Sequence, residues 1–160
     1  MASTNVSSEA TSGAQAALGV DMRLEVVTVP VADVDRAKSF YESLGWRLDI
    51  DLVVSDEIRL MQFTPPHSEC SIHVSKGGGT VAEPGSVQGL ILAVEDIDAA
   101  RADLISRGVE VSEIDTSRPP GFESLEGRSY FATASFSDPD GNGWQLQEIT
   151  TRLPGREWED

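Results

Sequence analysis

The chain has 160 residues, 39% of them hydrophobic and 24% charged, and its 27 Asp and Glu against 12 Lys and Arg give a formal net charge of −15. That excess of acid argues against nucleic acid and anionic membrane as partners, because phosphates and lipid head groups are held by Lys and Arg. The length suits one domain with a buried core, and a lone cysteine, Cys70, excludes an intrachain disulfide.

Residues 1–21, rich in Ala, Ser, Thr and Gly, carry neither the basic nor the apolar region of a secretory signal and read as a flexible tail. No run of about 18 apolar residues is present, so a cytoplasmic protein is expected. A single domain is expected over 22–151, with a first module over about 23–76, a linker at 77–86, a second module over about 87–151 and a polar tail at 152–160.

The first module opens with an apolar strand, Leu24 to Val31. Asp33 then caps a helix whose apolar face is Val34, Ala37, Tyr41 and Leu44, and Gly45 supplies the left-handed stop. Three extended segments follow, Arg47 to Val54, Ile58 to Thr64 and Ser71 to Ser75. Cys70, with no basic neighbour or helix start to activate it, reads as a small buried thiol. The glycine run Gly77-Gly78-Gly79 lacks the Gly-Lys-Ser/Thr of a phosphate-cradling loop and reads as linker.

The same pattern then returns at a constant offset, Val31-Ala32-Asp33-Val34-Asp35-Arg36-Ala37-Lys38 lying over Val94-Glu95-Asp96-Ile97-Asp98-Ala99-Ala100-Arg101. Gly89 to Val94 is the strand, Asp96 the cap, Ile97, Ala100 and Leu104 the apolar face, and Gly108 the stop. Extended segments are expected at Glu110 to Ile114, Tyr130 to Phe136 and Trp144 to Thr150, so each module reads β-α-β-β-β. Asp138-Pro139-Asp140-Gly141-Asn142-Gly143 lacks the ligand spacing and terminal Glu of a calcium loop and reads as a tight turn into the last strand.

The doubled unit, the signature Val31-x-Asp33-Val34-Asp35-x-Ala37-x-x-Phe40-Tyr41-x-x-Leu44-Gly45-Trp46 and the segment Ser137 to Trp144 together resemble the vicinal oxygen chelate superfamily of glyoxalases, bleomycin-resistance proteins and extradiol dioxygenases. The resemblance covers about residues 23 to 151. It implies an α+β fold of two tandem βαβββ modules forming a cup-shaped, half-barrel mixed sheet, and a homodimer. In the metal-using members four ligands meet on the concave face, and the matching positions here are Val26, His73, Leu90 and Gln145. His73 alone is a strong ligand, with Gln145 the one further donor if a metal binds. Glu25 and Glu148 alternate with Val26 and Gln147 and so fall on the other face, and His67 is too distant along the chain to share an ion with His73. No cofactor is expected in the leading reading; a divalent metal belongs to the alternative.

Strand alternation places Val26, Thr28, Ser71, His73, Leu90, Leu92, Gln145 and Gln147 on the inward face, a mostly apolar cavity with a few polar points. His73 has two readings: an interior histidine bonded to Gln145, or a ligand anchor and general base. The segment Asp115 to Ser129 is either a rim for the cavity or a disordered loop, and Phe122, Tyr130 and Phe131 offer rings for a planar ligand, with core packing the default for Tyr130 and Phe131. The acids fall on caps, turns and strand exteriors, so a nearly neutral working face is expected.

The leading expectation is a protein that binds a small, partly apolar organic molecule in the cup between its modules without a complete metal site. The alternative is a divalent-metal-dependent lyase, isomerase or dioxygenase, in which the ion polarises two adjacent substrate oxygens. A third reading is an interaction module whose cup is filled by its own side chains.

Overall fold

A computed structural model describes residues 19–77 and 82–156. Most of the expected N-terminal tail, the linker residues 78–81 and the last four residues, 157–160, lie outside the described residues. The order of elements is β1 (Val26–Pro30), α1 (Val34–Ser43), β2 (Arg47–Val53), β3 (Arg59–Thr64), β4 (Ser71–Lys76), β5 (Leu90–Val94), α2 (Ile97–Ser106), β6 (Thr133–Ser137) and β7 (Gly143–Glu148). Among the described residues no helix is long and apolar enough to cross a membrane.

Both helices start as the sequence requires. The Asp33 carboxylate accepts from Arg36 N–H at 3.0 Å, and the Asp96 carboxylate accepts from Ala99 N–H at 3.0 Å. These bonds satisfy first-turn donors that would otherwise lack partners, each cap contributing about 1 kcal/mol. Gly45 and Gly108 follow the helix ends at φ +78° and +86°, a conformation that a side chain resists. Val34, Ala37 and Tyr41 are buried on α1 and Leu44 at its C-cap; Ile97 and Leu104 are buried on α2, with Ala100 half-buried against the core.

The fold is α+β with two open mixed sheets, four strands in the order β1-β4-β3-β2 and three in the order β5-β7-β6. The edge strands β1 and β5 lie parallel to β4 and β7 respectively, and the remaining pairs are antiparallel. The expected strand over Glu110 to Ile114 does not form: residues beside β6 make one isolated bridge, Asp115 to Thr133. One reason is local. The Ser112 hydroxyl accepts the Ser135 N–H at 2.9 Å, taking the donor that a ladder carbonyl would use.

The two modules share one core. Tyr41 of α1 has its ring 5.7 Å from Phe63 of β3 and 6.2 Å from Trp144 of β7, and Trp46 lies edge-on to Trp144 at 5.1 Å. Side chains of both modules therefore meet around Tyr41 and Trp46. A buried polar knot fixes the junction: Tyr41 Oη donates to Asp138 at 2.9 Å, Trp144 Nε1 donates to Tyr41 Oη at 3.2 Å, and Asn142 Nδ2 donates to Asp138 at 2.8 Å and to the Pro30 carbonyl at 2.9 Å. Asp138 and Asn142 are buried, so the turn before β7 acts as a clasp onto the first module. Burial and the Asp138 charge push the Tyr41 phenol far above its ordinary range, keeping it a donor.

Candidate functional site

In a sheet, registered neighbours share a face. Thr28 registers with His73, His73 with Gln62, and Gln62 with Ile50, while Val26 registers with Ser71. These residues occupy the face of the first sheet turned away from Tyr41 and the shared core. Four of the residues named from sequence, Val26, Thr28, Ser71 and His73, are thus brought together.

The second sheet corrects part of the expectation. Leu90 registers with Trp144 and Leu92 with Leu146, and both leucines pack against the core. The positions beside Gln145 and Gln147 are instead Ile91 and Ala93. The misplacement is one residue of register, which exchanges the two faces of a strand. Gln145 and Gln147 do lie on the outward face, where Gln147 Nε2 donates to the Tyr130 carbonyl at 2.9 Å.

α1 packs on the first sheet and α2 on the second, and the two sheets are separate. His73 and Gln145 sit on different sheets. His73 Nε2 is instead 3.0 Å from Gln62 Oε1, a partner the sequence reading did not assign. The two sheets share no ladder, and β1 and β5 each end their sheet.

A polar row runs across the first sheet. Thr64 Oγ1 donates to Asp49, Ser71 Oγ lies 2.7 Å from Thr64 Oγ1, and Gln62 Nε2 donates to Asp49 Oδ2 at 3.4 Å. Asp49 reaches this face because the β2–β3 register shifts between Leu48 and Ile50. It corrects the expectation of a face almost free of acid. Hydrogen bonds from Arg47 and Thr64 hold the Asp49 carboxyl below the usual carboxylate range. Around the row lie apolar side chains: Val26, Leu60, and the exposed Ile50 and Leu52, which are 44% and 50% accessible.

The remaining named residues are placed as follows. Phe122 is 48% exposed and lies 6.3 Å from Phe131, whose ring carries the Arg118 guanidinium at 4.7 Å. The loop between Asp115 and β6 is tied by Arg118 to the carbonyls of Leu125, Thr116 and Gly127. Cys70 is half-buried rather than buried and precedes β4, and desolvation pushes its thiol up, away from reactivity. Glu148 is buried on the core face, where it accepts the Ile97 N–H at 3.1 Å at the start of α2.

The residues do not fit a divalent ion. Val26 has no donor, neither Leu90 nor its outward neighbour Ile91 has one, and Gln145 offers a neutral amide on the other sheet. Among the described residues no group of three or more His, Cys, Asp or Glu is disposed to hold a metal.

Two helix-covered mixed sheets joined through one core, each with polar side chains on its outward face, define a protein of paired βαβββ-type modules in which the second forms three strands. The chain belongs to the Glyoxalase/Bleomycin resistance protein/Dioxygenase superfamily, whose family model matches residues 23–146. Among solved structures it is similar to TnmS3, an antibiotic binding protein from Streptomyces sp. CB03234, at 32% identity and TM-score 0.64, over 81% of this chain and 97% of that one. A glyoxalase/bleomycin resistance protein from the same strain matches at 32% identity and TM-score 0.60, over 78% and 99% of the two chains. The fosfomycin resistance protein FosX from Listeria monocytogenes, complexed with Mn(II), matches at 14% identity and TM-score 0.55 over 86% and 98%, a likeness of fold alone. No curated protein matches the chain.

Proposed function

We propose that the protein binds a small, partly apolar organic molecule of the antibiotic class on its outward sheet faces, without a divalent metal, and that two copies complete each binding cup. The observation that carries this reading is the outward face of the first sheet: the apolar Val26, Ile50, Leu52 and Leu60 surround a single polar row ending at His73. Exposed apolar side chains around a few fixed polar groups are the usual make-up of a small-molecule surface. The similarity to an antibiotic binding protein at 32% identity supports the ligand class.

The second copy is read from the open sheets. The two sheets of one chain share no ladder, so a cup holding both His73 and Gln145 is built from the first sheet of one copy and the second sheet of another. The edge strands β1 and β5 have open backbone edges through which such sheets can pair. Phe122 and Phe131, with Arg118 over the latter, then form a rim able to stack on a planar molecule. A cytoplasmic location suits the single unpaired cysteine.

Native mass spectrometry of the freshly purified protein tests the reading, together with titration of a planar aromatic antibiotic followed by amide chemical shifts. A dimer without stoichiometric transition metal is expected, with shifts confined to the outward faces and the rim. Stoichiometric iron, zinc, nickel or manganese lost together with His73→Ala would overturn it in favour of metal-dependent chemistry. A monomer that binds the antibiotic equally well would remove the shared cup.

A further inference from the structure

In a neutral imidazole one ring nitrogen donates and the other accepts, and the partner of one decides the role of both. His73 Nε2 meets the side-chain amide of Gln62, which presents oxygen or nitrogen depending on how it is turned. The far end of that amide faces Asp49 Oδ2 at 3.4 Å. Asp49 is held in its charged form by donors: Arg47 Nε, Thr64 Oγ1 and Gln62 itself.

An ionised carboxylate only accepts, so Gln62 must turn its Nε2 to Asp49 and its Oε1 to His73. A carbonyl oxygen also only accepts, so the hydrogen of the imidazole must sit on Nε2. The reversed amide would set its oxygen against the Asp49 carboxylate, two acceptors without a hydrogen between them. The same logic orders the neighbouring hydroxyls: Thr64 gives its one hydrogen to Asp49, so Ser71 donates to Thr64 across 2.7 Å. His73 is half-buried, and Nδ1 makes no hydrogen bond among the described residues.

We propose that Asp49 and Gln62 are positioning residues that lock His73 as the Nε2–H tautomer, so that the outward face presents Nδ1 as a bare acceptor and selects ligands carrying a hydroxyl, phenol or N–H donor. The selection rests on the reading of this face as a ligand surface, whereas the tautomer is a property of the protein alone. Neither residue touches the ligand in this arrangement. They act through the ring that does.

Long-range proton–nitrogen correlation spectra of the imidazoles test the lock on the full chain, and with two histidines in the sequence a His67→Asn variant assigns them. His67 sits at φ +60°, which asparagine tolerates. Wild type is expected to show only the Nε2–H pattern, with that hydrogen slow to exchange. Free imidazole side chains favour the same tautomer, so the comparison with Asp49→Asn carries the weight: an asparagine can donate to Gln62, the amide is free to turn, and an Nδ1–H population appears. Gln62→Leu, the second variant, is expected to speed exchange of the Nε2 hydrogen. An Nδ1–H pattern in wild type, or an unchanged pattern in folded Asp49→Asn, overturns the lock.

The selection is read with 2-naphthol and its methyl ether as probes, titrated against amide shifts. Wild type is expected to prefer the naphthol by about tenfold, the worth of one good hydrogen bond, and Asp49→Asn to lose most of that preference. Equal affinity for the ether in wild type overturns the selection. If neither probe binds while the tautomer still responds to Asp49, the lock stands and the ligand reading falls.

Discussion

The two modules repeat one sequence pattern, yet the first builds four strands and the second three. In the first, β2 and β3 are joined by a short turn at residues 54–58, closed by Val54 N–H and Ser55 N–H donating to the Ile58 carbonyl. A short connection fixes register at little entropic cost. In the second, the corresponding segment is separated from β6 by the loop through Phe122 and Tyr130, and the isolated bridge at Asp115 and the bonds between Ser112 and Ser135 hold the pair without a ladder. The chemistry divides the same way: the first sheet carries the Asp49, Gln62 and His73 row, while the second offers neutral glutamines, one already bonded to the Tyr130 carbonyl. The difference teaches that a duplicated frame can keep its core in both halves while concentrating hydrogen-bonding and charged side chains in one.

The strongest break in that comparison is at the shared core. Trp144→Ala removes ring contacts to Tyr41 and Trp46 of the first module and is expected to cost about 3–5 kcal/mol, with both modules losing structure in one transition. Urea unfolding followed by amide signals from each module checks this; two separate transitions would mean that the modules are independent. Tyr41→Phe is expected to cost about 1–2 kcal/mol, since Asp138 keeps its Asn142 donors while Trp144 Nε1 loses its acceptor.

The Tyr41 phenol also predicts an alkaline limit. Its folded pKa lies above its unfolded value of 10.0, so the stability it contributes is complete below that value and declines as pH rises beyond it. Denaturant midpoints between pH 8 and about 11 should fall in wild type and fall less in Tyr41→Phe. Smaller still is the edge of the second module. Ser112→Ala leaves the Ser135 N–H without its hydroxyl acceptor and is expected to cost about 0.5–1 kcal/mol, read as faster exchange of the Ser135 amide.

The smallest effect concerns the first sheet at low pH. Asp49 and Asp51 both titrate below the ordinary carboxylate range, Asp49 through bonds from Arg47 and Thr64, and Asp51 through Arg59. Their folded values are depressed, so their contribution is present above the unfolded carboxylate range and is lost as pH falls below it. An acid titration of the Asp49→Asn, Asp51→Asn double variant should show a shallower decline in stability than wild type. An identical slope would assign acid sensitivity elsewhere.

Much of the frame was written in local residue order. Asp33, Asp96, Gly45 and Gly108 mark helix starts and stops by bonds and dihedrals confined to a single turn. The apolar faces of α1 and α2 follow from helical period, and the turn at Asp138 to Gly143 from its proline and glycines. Val26, Thr28, Ser71 and His73 were legible as one face because β1 and β4 alternate cleanly.

What the sequence could not determine was anything set by pairing between distant segments. Asp49 reached the outward face through a register shift, Leu90 and Leu92 turned to the core because β5 took its register from β7, and Glu110 to Ile114 formed no ladder once the Ser112 hydroxyl claimed the Ser135 donor. The partner of His73 was decided likewise, since Gln62 lies on a neighbouring strand. Helix caps and periods are local, within reach of a few residues of chain, whereas strand register and the packing of two sheets around a shared core are minima of the whole molecule, and only the tertiary structure chooses among them.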